Sequence, residues 1–318
     1  MMKVRIPAST SNLGSGFDVF GLALRLYLNV SIEPQPTGIQ DMHFTGEGKE
    51  IVTASKTSNF ITESLHQVFA DRRLAVPGYR ISVHNEIPVL RGLGSSGAAV
   101  LAGIIAANYL GKLKMTDNEI LAEAVHIEKH PDNICPSYAG GLTAAVRLED
   151  GSVLYRKWKF PTELMLVFVV PEFFISTKRA REVLPKSYPL KDIIFNLQRV
   201  SLLFEALYSG NYSLLRIVVE DRLHQPYRAP LIPGMGKILA LNDGSIAYGI
   251  FLSGSGPTTC AITHPENAEI AGKKIADVFA SEHINARIMQ IKVDNIGVRI
   301  SNNSPPVVKE GSKGWSIP

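Results

Sequence analysis

Only two cysteines, Cys135 and Cys260, occur among the 318 residues, and they form no C-x-x-C pair. Neither a disulfide framework nor a cysteine zinc site is suggested, and both thiols are expected to be buried and inert. Long basic runs are missing as well. The 33 Lys and Arg stand against 29 Asp and Glu, scattered along the chain, for a net charge of +4, which argues against a nucleic-acid partner. No stretch approaches membrane-spanning length, and an alternating strand pattern at Lys3 to Ile6 stands where the charged and apolar regions of a signal peptide would be. A cytoplasmic protein without a membrane partner is the expectation. No internal repeat is evident.

What is present is ample core material, with 45% hydrophobic residues, in a chain longer than one core usually supports. Strand patterns fall at 27–32, 79–84, 142–148 and 153–158, the last two joined by the hairpin signal Asp150-Gly151. Helical spacing runs over Thr57 to Asp71, Ala98 to Leu110 and 117–128. Phe160-Pro161 marks a boundary before the very apolar strand Leu164 to Val170. Helical patterns follow at 190–208 and 211–221, then a proline-rich loop at 226–233. Segments 234–242, 247–252, 258–263, 266–282 and 286–293 read as helix, strand, strand, helix, strand, compatible with a ferredoxin-like sandwich. The alternation of strands and helices reads as α/β or α+β. The expected division is 1–160, 161–300 and a flexible tail 301–318 containing Pro305-Pro306.

Residues Pro88, Val89, Leu90, Arg91, Gly92, Leu93, Gly94, Ser95, Ser96 and Gly97 form a glycine-serine loop that opens an apolar helix. Such a loop brings backbone N–H groups, hydroxyls and the positive end of a helix dipole to one place, which suits a phosphate. Its glycines also spell G-x-G-x-x-G, but the dinucleotide fingerprint fails on context. Pro88 separates the loop from the strand, and a second helix stands where a returning strand should be. The loop G-x-x-x-x-G-K-[ST] is excluded because no lysine follows Gly97. Zinc is rejected at His126-Ile127-Glu128-Lys129-His130: the glutamate is one place late for H-E-x-x-H and Pro131 ends the helix.

Two further segments, Pro7 to Asp18 and Phe251 to Thr258, complete a set of three. In order and spacing they resemble the signature motifs of the GHMP kinases, which phosphorylate small molecules with ATP. Within that family the resemblance is closest to the homoserine kinases. It is carried by Asn12 to Asp18, His130-Pro131-Asp132-Asn133, Ser176 to Arg181 and His224-Gln225-Pro226-Tyr227-Arg228, and covers about residues 3–300. The resemblance implies an α+β protein with an N-terminal domain like ribosomal protein S5 and a C-terminal ferredoxin-like sandwich. It implies ATP as co-substrate, Mg²⁺, L-homoserine as the small-molecule acceptor, and a homodimer as a frequent state.

Phosphoryl transfer requires a phosphate cradle, hard oxygen ligands for magnesium and a pocket that aims the acceptor. The cradle is 92–97, within an ATP-binding stretch 88–97, and the resemblance assigns adenine contact to Asn59. It assigns magnesium to Ser96 and Glu128, with Glu123 as the rival carboxylate. Asp18 would pair the acceptor ammonium, Arg181 and Arg228 its carboxylate, and Asn12, His130, Asn133 and Thr177 the hydroxyl or the transferring group. Singly, Asp18 reads as a turn residue, Asn12 as a cap and the arginines as surface charges. Relatives such as galactokinase carry an aspartate base where this chain has Asn133, so direct attack by the hydroxyl is implied, with His130 the weaker option as base. Lys129 stands where these kinases commonly have glycine, and in a left-handed turn it would be strained. Two alternatives stay open: a GHMP kinase acting on another amino-acid alcohol such as threonine, or a non-catalytic homologue that binds an amino acid or nucleotide.

Overall fold

The computed structural model describes residues 1–54 and 59–302. Six strands make up the first half: β1 (Met2–Ser11), β2 (Phe20–Gln35), β3 (Gln40–Gly46), β4 (Gly78–Asn85), β5 (Leu142–Arg147) and β6 (Val153–Trp158). In the second half lie β7 (Met165–Pro171), β8 (Gly249–Leu252), β9 (Thr259–Thr263), β10 (Ala286–Ile291) and β11 (Arg299–Asn302).

Among the described residues these strands form two sheets. The first has the order β11-β1-β2-β4-β3, and the β5–β6 hairpin joins it through residues 20–22 of β2. Only β3 and β4 run parallel in it. The second is antiparallel in the order β10-β7-β9-β8. Numbered by their occurrence in the second half, those strands stand 4-1-3-2, the ferredoxin-like arrangement.

Strand β7 shows why its sequence is a continuous apolar run. Leu166, Phe168 and Val170 point into the larger core, while Val167 and Val169 pack with Ile275 and Phe279 of the Ala268–Ser281 helix on the other face. A strand covered on both faces has no polar alternation. The Ser95–Leu110 helix is apolar on every side for the same reason: it sits centrally, against the Phe60–Asp71 helix and β1. The Asp117–Glu128 helix starts at a capping box, in which Thr116 Oγ1 accepts from Glu119 N at 3.2 Å and Glu119 Oε2 from Thr116 N at 2.6 Å.

Several segments depart from expectation. The helix expected at 190–208 is two helices, Leu190–Val200 and Leu203–Tyr208, because the second turns to bury Leu203, Ala206 and Leu207 in the larger core. Of 211–221 only Tyr212–Val218 is helical, its first turn a 3₁₀ turn. The loop expected at 226–233 begins as the Gln225–Arg228 helix, with Pro226 early in its first turn, where a missing N–H costs nothing. Pro131 ends one helix and also opens the next, Pro131–Ala139. Strand β3 and the Lys49–Ala54 helix were not anticipated. The expected tail starts too early at 301: Ser301 and Asn302 pair with Lys3 and Met2, returning the chain to the first sheet. Thr57 and Ser58, and 303–318 with Pro305-Pro306, lie outside the described residues. No described helix is long and apolar enough to cross a membrane.

Candidate active site

A cleft of about 1010 Å³, its open mouth included, is lined by the glycine-serine loop on one side and by Asn12, Asp18, His130, Asn133, Thr177, Arg181 and Arg228 on the other. Gly94 is the N-cap of the Ser95–Leu110 helix, left-handed at φ +70°. A side chain there would run into Ser9 of β1, and one at Gly92, φ +72°, into the Ser253 carbonyl. These glycines therefore let the loop sit tightly on two other motifs, with the free helix N–H groups at the cleft. Ser253 closes the joint: its Oγ donates to Gly92 O at 2.6 Å and lies 2.8 Å from Thr10 Oγ1. Val89, Leu90, Arg91, Ser95 and Ser96 line the cleft, whereas Pro88, Leu93 and Gly97 are buried and do not.

Ser96 Oγ donates to Glu128 Oε1 at 2.7 Å, so two hard oxygens meet at the helix N-terminus. Burial pushes the Glu128 carboxyl up, the Ser96 bond opposing it. Glu123 lines no part of this cleft and pairs with Arg72 at 3.4 Å. Asn59 does line it, but its carbonyl caps the Phe60–Asp71 helix, accepting from Ile61 N and Thr62 N, and its amide donates to Met42 Sδ at 3.2 Å. Lys129 ends its helix at φ +77°, left-handed. His126 lines a separate surface groove with Glu63 and His66.

The other side of the cleft carries opposite charges in contact. Arg181 binds Asp18 through two hydrogen bonds, 2.7 and 3.1 Å. Arg228 is 2% exposed, donates to Ala180 O at 3.1 Å and Gly254 O at 3.0 Å, and is drawn down to about 10 by burial and by Arg181. Asn12, left-handed at φ +74°, donates to Gly254 O at 3.0 Å and accepts from Asp18 N at 3.1 Å, shaping the turn that presents Asp18. Asn133 is held at both ends of its amide, accepting from Ser9 Oγ at 3.0 Å and donating to Ser11 Oγ at 3.2 Å. Burial and Arg181 bring His130 down to about 4, leaving a neutral imidazole at pH 7. Thr177 opens the Thr177–Glu182 helix and is exposed to the cleft.

Asp132 was missed as a site residue. It lines the cleft, 3% exposed, and burial, aided by Asp18 and Glu128, raises its carboxyl to about 7. Its place between His130 and Asn133 in a motif already singled out was the available signal. Ser11 and Ser255 also line the cleft without having been singled out.

Residues 59–141 match the family of GHMP kinases N terminal domains and residues 203–281 that of GHMP kinases C terminal domains. The chain is 40% identical over 302 residues to the homoserine kinase of Caldicellulosiruptor bescii, covering 94% of this chain and 97% of that one. It is 38% identical to the homoserine kinase of Aquifex aeolicus, covering 94% and 99%. The crystal structure of homoserine kinase from Cytophaga hutchinsonii superposes with a TM-score of 0.79 at 28% identity, over 94% and 97% of the two chains. A mevalonate kinase structure at 14% identity and TM-score 0.66 shares the fold. With both kinase domains in order and such relatives spanning nearly its whole length, the chain belongs to the homoserine kinase family of ATP-dependent GHMP kinases.

Proposed function

We propose that the protein transfers the γ-phosphoryl group of ATP to the side-chain hydroxyl of L-homoserine, giving O-phospho-L-homoserine and ADP on the route to threonine. The observation that carries this reading is the sharing of one cleft by an anion-binding loop and an acid–arginine cluster suited to an amino acid. Without acceptor, Asp18 and Arg181 neutralise each other. An amino acid exchanges that pair for two, its ammonium on Asp18 and its carboxylate on Arg181 and Arg228. Arg181 Nε, buried and without a partner among the described residues, is a donor such a carboxylate would satisfy.

Ser96 and Glu128 fit Mg²⁺ as a pair of hard oxygen donors beside the phosphate loop. When bound, the ion supplies charge neutralisation on the phosphoryl oxygens. The loop's N–H groups orient the triphosphate, and the adenine contact assigned to Asn59 is supported by its place in the lining of the same cleft. Asn12, His130, Asn133 and Thr177 direct the hydroxyl and the transferring group. An amide cannot take the proton, and an imidazole near 4 is a poor base. The hydroxyl therefore attacks directly, its proton leaving late to phosphate or solvent, and catalysis rests on positioning and electrostatics.

The same reading takes 1–160 as the ATP-binding domain and 161–300 as the C-terminal domain, in a cytoplasmic enzyme acting as a homodimer. Leu190, Ile193, Ile194 and Leu197 form an exposed apolar stripe along one helix, a surface suited to self-association. Mass spectrometry of the product tests the central reaction: one added phosphoryl group on L-homoserine, labile to phosphatase, is expected. ATP consumed without a phosphorylated acceptor would overturn it.

A further inference from the structure

His224 lies one helical turn before Arg228 and is wholly buried. Its Nε2 stands 2.9 Å from the Gly14 carbonyl, and its Nδ1 3.3 Å from Arg228 Nη1. A carbonyl only accepts and a guanidinium only donates, so both contacts demand one tautomer, with the proton on Nε2 and a lone pair on Nδ1. Charging the ring would set an Nδ1 proton against the N–H of Arg228. The charged groups around the ring are Asp221, whose Oδ2 is 3.6 Å from Nε2, then Arg228 and Asp18.

The surroundings hold this ring rigidly. It stacks on Phe17 at 5.0 Å between centroids, and Arg228 lies over the same Phe17 ring at 5.2 Å. Asp221 fixes the backbone beneath, accepting from His224 N at 2.8 Å, Gln225 N at 2.6 Å and Leu223 N at 3.0 Å. Asn196 Nδ2 donates to Asp221 Oδ1 at 2.7 Å and to Ser15 O at 3.1 Å, tying that carboxylate to the Asn12–Asp18 loop. Arg228 itself reaches Ala180, next to Arg181, and Gly254, which also receives Asn12.

We propose that His224 is a positioning residue for acceptor binding: a neutral imidazole, protonated on Nε2, that locks the Arg228 guanidinium to the backbone of the Asn12–Asp18 loop. The separation of the carboxylate subsite from the ammonium subsite is thereby fixed. The proposal rests on Arg228 and Asp18 being those subsites. It explains why a buried histidine, and not an apolar residue, fills the space between them: no aliphatic side chain could accept from the arginine and donate to the loop at once.

Two substitutions divide the ring's two functions while removing it in both cases. His224→Asn keeps an oxygen where Nδ1 stands, so it can still accept from Arg228. His224→Gln keeps an amide N–H toward Gly14 and loses the acceptor. Steady-state kinetics should show the KM for L-homoserine raised about 10- to 100-fold in His224→Gln, the size of a lost hydrogen bond to a charged group. In His224→Asn it should stay within about threefold of native, with the KM for ATP little changed in either variant. Equal losses in both variants, or a KM for ATP that rises alongside, would reduce His224 to a structural residue and overturn the proposal. Nitrogen-15 spectra of the native protein supply an independent readout: the resonance missing from His224→Gln should show a protonated Nε2 and a bare Nδ1 from about pH 6 to 8. A protonated Nδ1 in that range would also overturn it. A native protein that neither binds nor phosphorylates L-homoserine would instead overturn the acceptor assignment, and the spectra would still decide the bond from Arg228.

Discussion

Truncating Arg228 to alanine removes a guanidinium held in a desolvated pocket by two backbone carbonyls. If it binds the acceptor carboxylate, kcat/KM for L-homoserine should fall by about 2–5 kcal/mol in transition-state terms, with the KM for ATP nearly constant. Unchanged kcat/KM would take Arg228 out of the site. Two neighbouring groups make a second test through pH. The Asp132 carboxyl, raised from 3.8 to about 7, keeps a proton that the unfolded chain gives up, so its share of stability is full at low pH and falls as pH rises through that range. His130, lowered from 6.5 to about 4, refuses a proton that the unfolded chain takes, so its share rises with pH. Asp132→Asn abolishes the first and spares the second, so unfolding free energy should rise with pH more steeply than in the native protein, by up to about 1.4 kcal/mol per unit. Urea titrations between about pH 4 and 6.5 measure both slopes, and parallel slopes would contradict the buried acid. Lys129 at φ +77° carries strain that glycine relieves. Lys129→Gly should stabilise the protein by about 1 kcal/mol, visible as a higher melting temperature; a lower one would mean that the lysine side chain contributes more than its backbone costs. The glycine-serine loop of this cleft was legible from its own residue types, whereas Asp18, Arg181 and Arg228 were legible only through the family resemblance, since singly they read as a turn residue and surface charges. Asp132 was not, since a carboxylate beside a proline looks the same in sequence whether it is solvated or buried.

At the level of elements, legibility followed periodicity. The 117–128 helix and the 153–158 strand match their patterns because caps and turn residues bracket them. The segment 190–208 does not, since apolar spacing reports that a face is apolar and not what covers it. In Leu190–Val200 the stripe at Leu190, Ile193, Ile194 and Leu197 stays exposed, while Leu203–Tyr208 turns inward past Leu202. The exposed stripe carries the homodimer proposal. Leu197→Asp should convert a dimer into a monomer in sedimentation velocity, with the fold retained by circular dichroism. A variant that sediments like the native protein would move the interface elsewhere.

For the molecule as a whole, the division of labour follows the chain's path. The first sheet and its central helix present the glycine-serine loop, and Thr177, Arg181, Arg228 and Gly254 of the second half line the same cleft. Strand β11 then returns to pair with β1, so the last described strand is built into the first sheet. This return could not be read in advance, because a four-residue edge strand followed by a proline-rich segment carries no periodic signal. Conversely, the order of the motifs carried the family resemblance, and that resemblance implied an anion cradle beside an amino-acid pocket. That pairing is what the central claim depends on, and the most direct test is ADP release by the purified protein with Mg²⁺ and ATP, comparing L-homoserine with L-threonine, L-serine, mevalonate and no acceptor. The account predicts release that requires L-homoserine; release with another acceptor alone, or none with any of them, would contradict it.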